Sequence, residues 1–295
     1  MRLCETFRMN SARWQSVARF CFRWLLGYVW AVPVLAANRF DVREHGAAGD
    51  GKVSATGAIQ AAIDACALAG GGQVLFPPGR YLSGTIHLRS GVTLHLEAGA
   101  RLIGTTNLAH YAQPTPPAFM PEAKWGRWHR GLIVGENVED AAITGLGVID
   151  GNKVFDPTGE ERMRGPHTIV FVNCKRFTLR DVTIVDSANY AVFFQVSDDV
   201  DIRNVKFVGG WDGVHWRGAP DRWCQNVNLI GCQFFTGDDA IAGRYDLLNS
   251  LMTLGQDRAW RAAMWRAVPE DAGVVLDLCT GSGVSLGGLR RPGRT

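Results

Sequence analysis

Phe177-Thr-Leu-Arg-Asp-Val-Thr-Ile184 returns as Val200-Asp-Ile-Arg-Asn-Val-Lys-Phe207 and again as Val227-Asn-Leu-Ile-Gly-Cys-Gln-Phe234. The copies start 23 and 27 residues apart, and each alternates apolar with other side chains. A repeat made of strands at this period, without helices between the copies, is typical of a parallel β-helix in which each copy belongs to one coil. A β-sandwich is the main alternative, but it does not need one phrase to return at near-constant spacing. The repeat therefore predicts an all-β fold built of stacked coils.

The chain before these copies continues the same pattern. Residues 141–148 form an earlier copy, and short alternating runs separated by turns extend from Gln73 to Ile103. One helix is predicted ahead of them, with Ser54 or Thr56 as its N-cap and Gly70-Gly-Gly72 ending it. Its apolar face is formed by Ile59, Ala62, Ile63, Cys66 and Ala69. We expect this helix to cap the amino-terminal end of the coils.

Carboxylates cluster in two glycine-bounded turns of residues 209–243. Asp212 stands in Gly-Trp-Asp-Gly, and Asp238 with Asp239 stands in Gly-Asp-Asp-Ala. If coils stack, Asp212 and Asp238 occupy equivalent positions on adjacent coils, with carboxylates on the order of 5 to 9 Å apart. Glycosidases hydrolyse the glycosidic bond with two carboxyl groups at this separation, one as acid and one as base. The alternative interpretation is that these are ordinary turns, where Asp and Gly are common.

Composition and charge exclude several classes of partner. The chain has 295 residues, of which 46% are hydrophobic and 20% charged. The formal net charge is +3, but five arginines and one glutamate lie in the first 37 residues, so the remainder carries −1. Because the chain after residue 37 is nearly neutral, it lacks the positive surface that nucleic acid requires, and we expect no nucleic-acid partner. The later cysteines have neither C-x-x-C nor histidine spacing, so we expect no metal and no cofactor.

The amino-terminal 37 residues have the pattern of a signal peptide. An arginine-bearing leader precedes a charge-free run of 14 residues, 24–37, which ends in small residues suited to cleavage near Ala36 or Ala37. The run is too short to span a bilayer. We expect a secreted or periplasmic protein with no membrane association after cleavage. A buried apolar helix is the alternative.

These features together resemble glycoside hydrolase family 28, the polygalacturonases, within the pectin-lyase-like superfamily. The amino-terminal phrases Phe40–Gly51 and Gly71–Tyr81 are similar to the family's first module, and Ile149-Asp-Gly-Asn152 resembles a signature ahead of its central coils. Gly210–Gly213 stands in place of the family's Asn-Thr-Asp-Gly, and Gly237–Asp239 matches its Gly-Asp-Asp. The resemblance implies a right-handed parallel β-helix and a pectin-type polysaccharide substrate.

The resemblance also implies roles for individual residues. Asp238 would be the general acid, and Asp212 with Asp239 would activate water in an inverting hydrolysis. Gly-His-Gly and Arg-x-Lys motifs expected after Asp239 do not occur, because the last histidine is His215 and the last lysine precedes it. Three residues are candidate contacts of a uronate substrate, with a packed or solvated position as the alternative for each: His215, Arg217 and Arg244. The β-helix is therefore expected to lack its closing coils, and we expect weak turnover or none.

The hydrophobic pattern of the sequence changes at about residue 245, from the alternation of strands to a helical period. Residues 245–268 have a helical period, and Gly273–Gly283 predicts a buried strand entering a glycine turn. This resembles the start of a ubiquinone/menaquinone biosynthesis methyltransferase, in which Asp277, Gly281 and Gly283 would match positions that hold S-adenosylmethionine. A single strand cannot bury a sheet, so cofactor binding by this short helical, Rossmann-like fragment is not expected.

The sequence thus predicts three parts: a signal peptide over 1–37, a β-helix hydrolase domain over 38–244, and a methyltransferase-like fragment over 245–295. We expect a monomer acting on cell-wall pectin. Two alternatives stay open. One is a carbohydrate-binding β-helix without catalysis; the other is a calcium-dependent polysaccharide lyase that uses Ser197-Asp-Asp-Val-Asp201.

Overall fold

The computed structural model describes residues 38–115, 130–159, 164–219 and 222–242. These residues form a right-handed parallel β-helix whose coils contribute strands to three parallel sheets. The predicted signal peptide, most of the proline-rich stretch after Gln113, Arg244 and the methyltransferase-like fragment lie outside the described residues. Within the described residues, no helix has the length and apolarity needed to cross a bilayer.

Sheet A contains β1 (Arg39–Asp41), β3 (Gly72–Phe76), β6 (Val92–Leu96), β9 (Glu139–Gly145), β12 (Lys175–Arg180), β15 (Asp198–Arg203) and β18 (Gln225–Ile230). Sheet B contains β2 (Asp50–Ser54), β4 (Gly79–Ser83), β7 (Ala100–Gly104), β10 (Val148–Asp150), β13 (Thr183–Val185), β16 (Lys206–Val208) and β19 (Gln233–Phe235). Sheet C contains β5 (Ile86–His87), β8 (Gly131–Glu136), β11 (His167–Val172), β14 (Val192–Gln195), β17 (Val214–Arg217) and β20 (Ile241–Ala242).

The repeat seen in the sequence sets the register between coils. Phe177 pairs with Val200 and Val200 with Val227, while the earlier copy places Ala141 opposite Phe177. Inward side chains stack because the side-chain period of a strand is two and neighbouring strands are about 4.8 Å apart. The alignment read from the sequence is therefore the pairing in the fold.

The predicted helix is present as α1 (Thr56–Leu68) and packs against the strands of the first coils. Ile59, Ala62, Ile63 and Cys66 are buried as expected, but Ala69 lies just beyond the helix and is exposed. The N-cap is Ala55, which makes no side-chain capping bond. The predicted caps were wrong because Thr56 Oγ1 instead accepts a hydrogen bond from the backbone N–H of Gly84 at 2.8 Å.

The last described coil is packed less completely than the coil before it. Phe207 is 1% exposed, whereas its register partner Phe234 is only partly buried, although the two rings stack at 4.7 Å. Val200 and Val227 differ in the same way. Among the described residues no further strand pairs with β18, β19 or β20. This end of the coils consequently leaves apolar side chains partly in contact with solvent.

Candidate active site

The three predicted catalytic carboxylates lie in turns that lead from sheet B into sheet C. The turn before β17 carries Asp212, and the turn before β20 carries Asp238 and Asp239. Backbone bonds between the turns define their register: Asp238 N–H donates to Trp211 O at 3.1 Å, and Gly213 N–H donates to Asp239 O at 2.8 Å. In the adjoining ladders a backbone N–H bonds the carbonyl of the residue before its partner, so the first bond sets Asp238 opposite Asp212 and the second sets Gly213 opposite Ala240, with Asp239 next to Asp212. The register therefore slips by one residue between Asp238 and Asp239, and the first bond agrees with the expected alignment of Asp212 with Asp238.

Glycine permits these turns to stack closely. Gly210 has φ of 72°, in the left-handed region, and a Cβ at this position would lie 2.6 Å from the backbone N of Ser187 on the preceding coil. Gly237 lies in turn against the carbonyl of Gly210, where an added Cβ would be 2.6 Å from the oxygen. The close approach of three successive turns brings residues from separate coils into one site.

A buried arginine joins two of the acids. Arg164 Nη1 donates to Asp212 Oδ2 at 3.2 Å, and Nη2 donates to Asp238 Oδ2 at 2.5 Å. The side chain of Arg164 is 4% exposed, while that of Asp238 is 44% exposed. Asp212 and Asp238 therefore meet on one guanidinium. Arg164 was not among the residues expected from the sequence, because a lone arginine in a loop carries no pattern.

The environment of Asp212 favours its neutral form. Burial and the neighbouring Asp238 carboxylate raise the pKa of Asp212 to about 6, against the opposing effect of Arg164. Its Oδ1 is buried and accepts no hydrogen bond from the described residues. Asp239 also contributes negative charge that raises this pKa. One acid of the site thus changes its charge close to neutral pH, a property that acid–base catalysis requires.

His215 and Arg217, expected as substrate contacts, lie on the outward face of β17. The His215 ring stacks on Tyr190 at 4.3 Å between centroids and is 9% exposed. Arg217 Nε donates to His215 Nε2 at 3.2 Å, and its guanidinium lies 5.7 Å from the centre of Phe193. Burial and nearby arginines lower the pKa of His215 to about 3, so the imidazole is neutral. The structure thus places His215 in a packed position, and a role in substrate binding stays a prediction.

An aromatic row extends from His215 along sheet C and was also not expected. His167 stacks on Tyr190 at 4.8 Å and on Phe193 at 5.5 Å. These three side chains are buried, together with Val170 on the same outward face. The row joins three coils, with His167 on β11, Tyr190 and Phe193 at β14 and His215 on β17, so no local pattern in the sequence indicates it. Both faces of this part of sheet C are consequently packed.

The acidic run considered as a calcium site is engaged in other contacts. Asp198 pairs with Arg222 at 3.1 Å, and Asp201 pairs with Arg203 at 2.5 Å. Asp199 accepts a hydrogen bond from Asn226 Nδ2 at 2.8 Å. The described part of the chain contains no group of three acidic, histidine or cysteine side chains able to hold a metal ion. These contacts argue against the calcium-dependent lyase.

Comparison with known proteins supports the relationship suggested by the coils and the acids. A family model described as rhamnogalacturonase A/epimerase, pectate lyase-like, matches residues 39–106. A probable polygalacturonase from Vitis vinifera is 26% identical over 222 residues, which cover 70% of this chain and 44% of the relative. The β-helical part resembles polygalacturonases. The chain spans less than half the length of this relative.

The solved structures bear out the fold of this polygalacturonase-like part. The exopolygalacturonase of Thermotoga maritima matches with a TM-score of 0.52 at 21% identity, over 70% of this chain and 54% of that one. At this identity the match shows the parallel β-helix alone, and roles for individual side chains rest on the site geometry.

A second relationship concerns the carboxyl-terminal part. A model of the ubiE/COQ5 methyltransferase family matches residues 235–289. The ubiquinone/menaquinone biosynthesis C-methyltransferase of Desulfotalea psychrophila is 59% identical over 46 residues, covering 15% of this chain and 19% of the relative. The predicted resemblance of this segment is confirmed, and the match begins within β19.

Proposed function

We propose that residues 38–244 are a glycoside hydrolase of polygalacturonase type that cleaves pectin-type polysaccharide with inversion. The observation that carries the proposal is the meeting of Asp212 and Asp238 on the guanidinium of Arg164, with Asp239 level with Asp212. Inverting hydrolysis requires two carboxyl groups that can both reach one glycosidic bond. The similarity to a probable polygalacturonase supports the class of substrate.

In the proposed reaction Asp238 is the general acid, because its side chain is the more exposed of the two that contact Arg164. Asp238 transfers its proton to the glycosidic oxygen as the bond from that oxygen to the anomeric carbon breaks. Water attacks the anomeric carbon from the opposite face, and Asp212 with Asp239 accepts the proton that the water loses. Arg164 Nη2 donates to Asp238 Oδ2, so the proton that Asp238 transfers is carried by its other oxygen, Oδ1.

Reducing ends released from polygalacturonate provide the test. We expect release by the wild-type chain and a loss of at least about 100-fold in Asp238→Asn, the effect typical of removing a general acid. Asp181→Asn is a matched control, since Asp181 lies in a comparable turn but on the exposed surface of another sheet corner. Equal activity in Asp238→Asn and the control would contradict the assignment.

A carbohydrate-binding protein without catalysis is the second candidate. The contact between Asp238 and Arg164 favours it, because this carboxylate is already bound by a buried guanidinium and would have to act on substrate from that position. Binding of oligogalacturonate that is unaffected by Asp238→Asn, in a wild-type chain that releases no reducing ends, would support this candidate over hydrolysis.

We also propose export through residues 1–37, a monomeric state, and weak turnover with low solubility. The last proposal is supported by Val227, Leu229 and Phe234, which point inward on the last described coil yet are only partly buried. Sequencing the amino terminus of protein recovered outside the cytoplasm would test export, with Asn38 as the expected first residue. Light scattering would test the monomer.

A further inference from the structure

Among the described residues, the Arg164 side chain contacts two of the candidate catalytic acids at once. Each of its terminal nitrogens donates to a different carboxylate, at 3.2 Å to Asp212 and 2.5 Å to Asp238. This differs from Arg101, whose Nε and Nη2 both donate to the same oxygen of Asp150, at 3.0 and 2.8 Å. A rigid planar fork that spans two acids sets the distance between them, which a pair with one acid cannot do.

The guanidinium is itself held from two sides. Its central carbon lies 4.7 Å from the centre of the Trp211 ring, and Trp211 immediately precedes Asp212. The next residue along the chain, Gly165, donates its N–H to Ala188 O on the following coil at 3.0 Å. The arginine is thus fixed by a backbone bond beside its own Cα and by an aromatic surface at its tip.

Burial excludes a simple surface role. With 4% of its side chain exposed, Arg164 cannot be a solvated surface cation, and Asp238 stands between it and solvent. A buried arginine is tolerated when charged partners compensate it, and here the compensation comes from the acids that the reaction needs. Its positive charge also opposes the mutual repulsion by which Asp238 raises the pKa of Asp212.

We propose that Arg164 is a positioning residue of the hydrolytic site, which fixes the separation of Asp212 and Asp238 and places a positive charge beside both. This inference rests on the proposed hydrolase function. The guanidinium binds the Oδ2 atom of each acid, while Oδ1 of Asp212 is buried and accepts no hydrogen bond from the described residues. Arg164 acts through the acids and makes no bond to substrate.

Two substitutions of Arg164 distinguish the effect of the planar guanidinium group from the effect of its positive charge. Arg164→Gln removes the charge and most of the fork, while Arg164→Lys keeps the charge on a flexible stem. We expect kcat to fall about 100-fold in both, as misplacement of reacting groups by about 1 Å can cause, with KM within a factor of about three. The acid limb of the pH profile should move upward by about one unit or more in Arg164→Gln, and Arg164→Lys should restore it.

Arg101→Gln is the control, since it removes an arginine–aspartate pair in sheet B in which the arginine contacts a single acid, Asp150. Loss of activity equal to that of Arg101→Gln, or a rise in KM with kcat unchanged, would overturn the positioning role. The second outcome would identify a substrate-binding arginine. Thermal melts of all three variants would show which remain folded, and Arg164→Lys keeps the test valid if Arg164→Gln does not fold.

A measurement without turnover distinguishes failure of this inference from failure of the proposed function. Carboxyl carbon NMR can follow the titration of Asp212, with the resonance identified by its loss in Asp212→Asn. An upward shift of the Asp212 pKa in Arg164→Gln but not in Arg101→Gln supports the coupling even in a chain that releases no reducing ends. An unchanged Asp212 pKa in Arg164→Gln overturns it, whatever the activity.

Discussion

Asp212 and Asp239 stand level with each other on neighbouring coils, because the N–H of Gly213 donates to the carbonyl of Asp239 at 2.8 Å. The N–H of Asp238, the proposed acid, donates to the carbonyl of Trp211 at 3.1 Å, which also sets Asp238 opposite Asp212, so the register slips by one residue between the two aspartates. A strand in a regular ladder would send Asp238 and Asp239 to opposite faces. The turn before β20 and the reach of Arg164 together allow both to take part in one site.

The pH dependence of hydrolysis should identify the role of Asp212. The pKa of this group is raised to about 6, so it is largely neutral below that pH and ionised above it. If Asp212 accepts the proton of water, kcat/KM should rise with pH through about 6. Initial rates on polygalacturonate between pH 4 and 8 provide the measurement. A rate that instead falls as the pH passes 6 would assign Asp212 as the acid.

Asp212→Asn should stabilise the folded protein at neutral pH. The folded-state pKa of about 6 exceeds the ordinary value of 3.8, so the folded state binds the proton more tightly and loses stability as the pH rises from about 4 to 6. A shift of this size corresponds to about 3 kcal/mol. Urea unfolding at pH 4 and pH 8 should show the gain at pH 8 only. A gain of the same size at both values would point to a cause other than ionisation.

His215 should show the opposite dependence. Its pKa is lowered from 6.5 to about 3, so the unfolded chain binds the proton more tightly and folding stability falls as the pH drops from about 6.5 towards 3. Replacing His215 with Gln should weaken this acid sensitivity. Nitrogen-15 NMR of the imidazole should show no protonation between pH 5 and 8. A midpoint near the ordinary histidine value would mean that the ring is not buried as described.

Phe207→Ala should cost far more stability than Phe234→Ala. The two rings occupy the same register position on adjacent coils, but Phe207 is 1% exposed and Phe234 is only partly buried. Removing a fully buried phenylalanine typically costs about 3 to 5 kcal/mol. We expect roughly a third to a half of that for Phe234, since its ring is already partly hydrated. Similar losses in urea unfolding would indicate that the last coil is covered.

Gly210→Ala should disturb the site, whereas Gly57→Ala should not. The φ of Gly210 is 72°, and an added Cβ would meet the backbone of Ser187 at 2.6 Å. Strain of this kind costs about 1 to 3 kcal/mol and would move the turn that carries Asp212. Gly57 lies in α1 with open space around it, so alanine there should be neutral or stabilising by up to about 1 kcal/mol. Thermal melts and hydrolysis rates of the two variants provide the comparison.

The sequence by itself determined the coils. Alternating apolar residues and a returning phrase are local properties, and they were sufficient to predict the helix over Ile59 to Cys66 and the pairing of Phe177 with Val200 and Val227. They also predicted that Asp212 and Asp238 would be close. They did not predict the one-residue slip between Asp238 and Asp239, because a repeat measured along strands does not give the path of the turns between them.

Only the tertiary structure decided the composition of the site. Arg164 lies 48 residues from Asp212 and 74 from Asp238, and no periodic pattern connects a loop arginine with acids on later coils. The same applies to the stacking of His215 on Tyr190, which depends on neighbouring strands of sheet C. Hydrophobic alternation specifies which side chains of a strand turn inward, because that choice is made residue by residue. Contacts across coils depend on where several turns end in space, and burial then sets the charge of the groups that meet there.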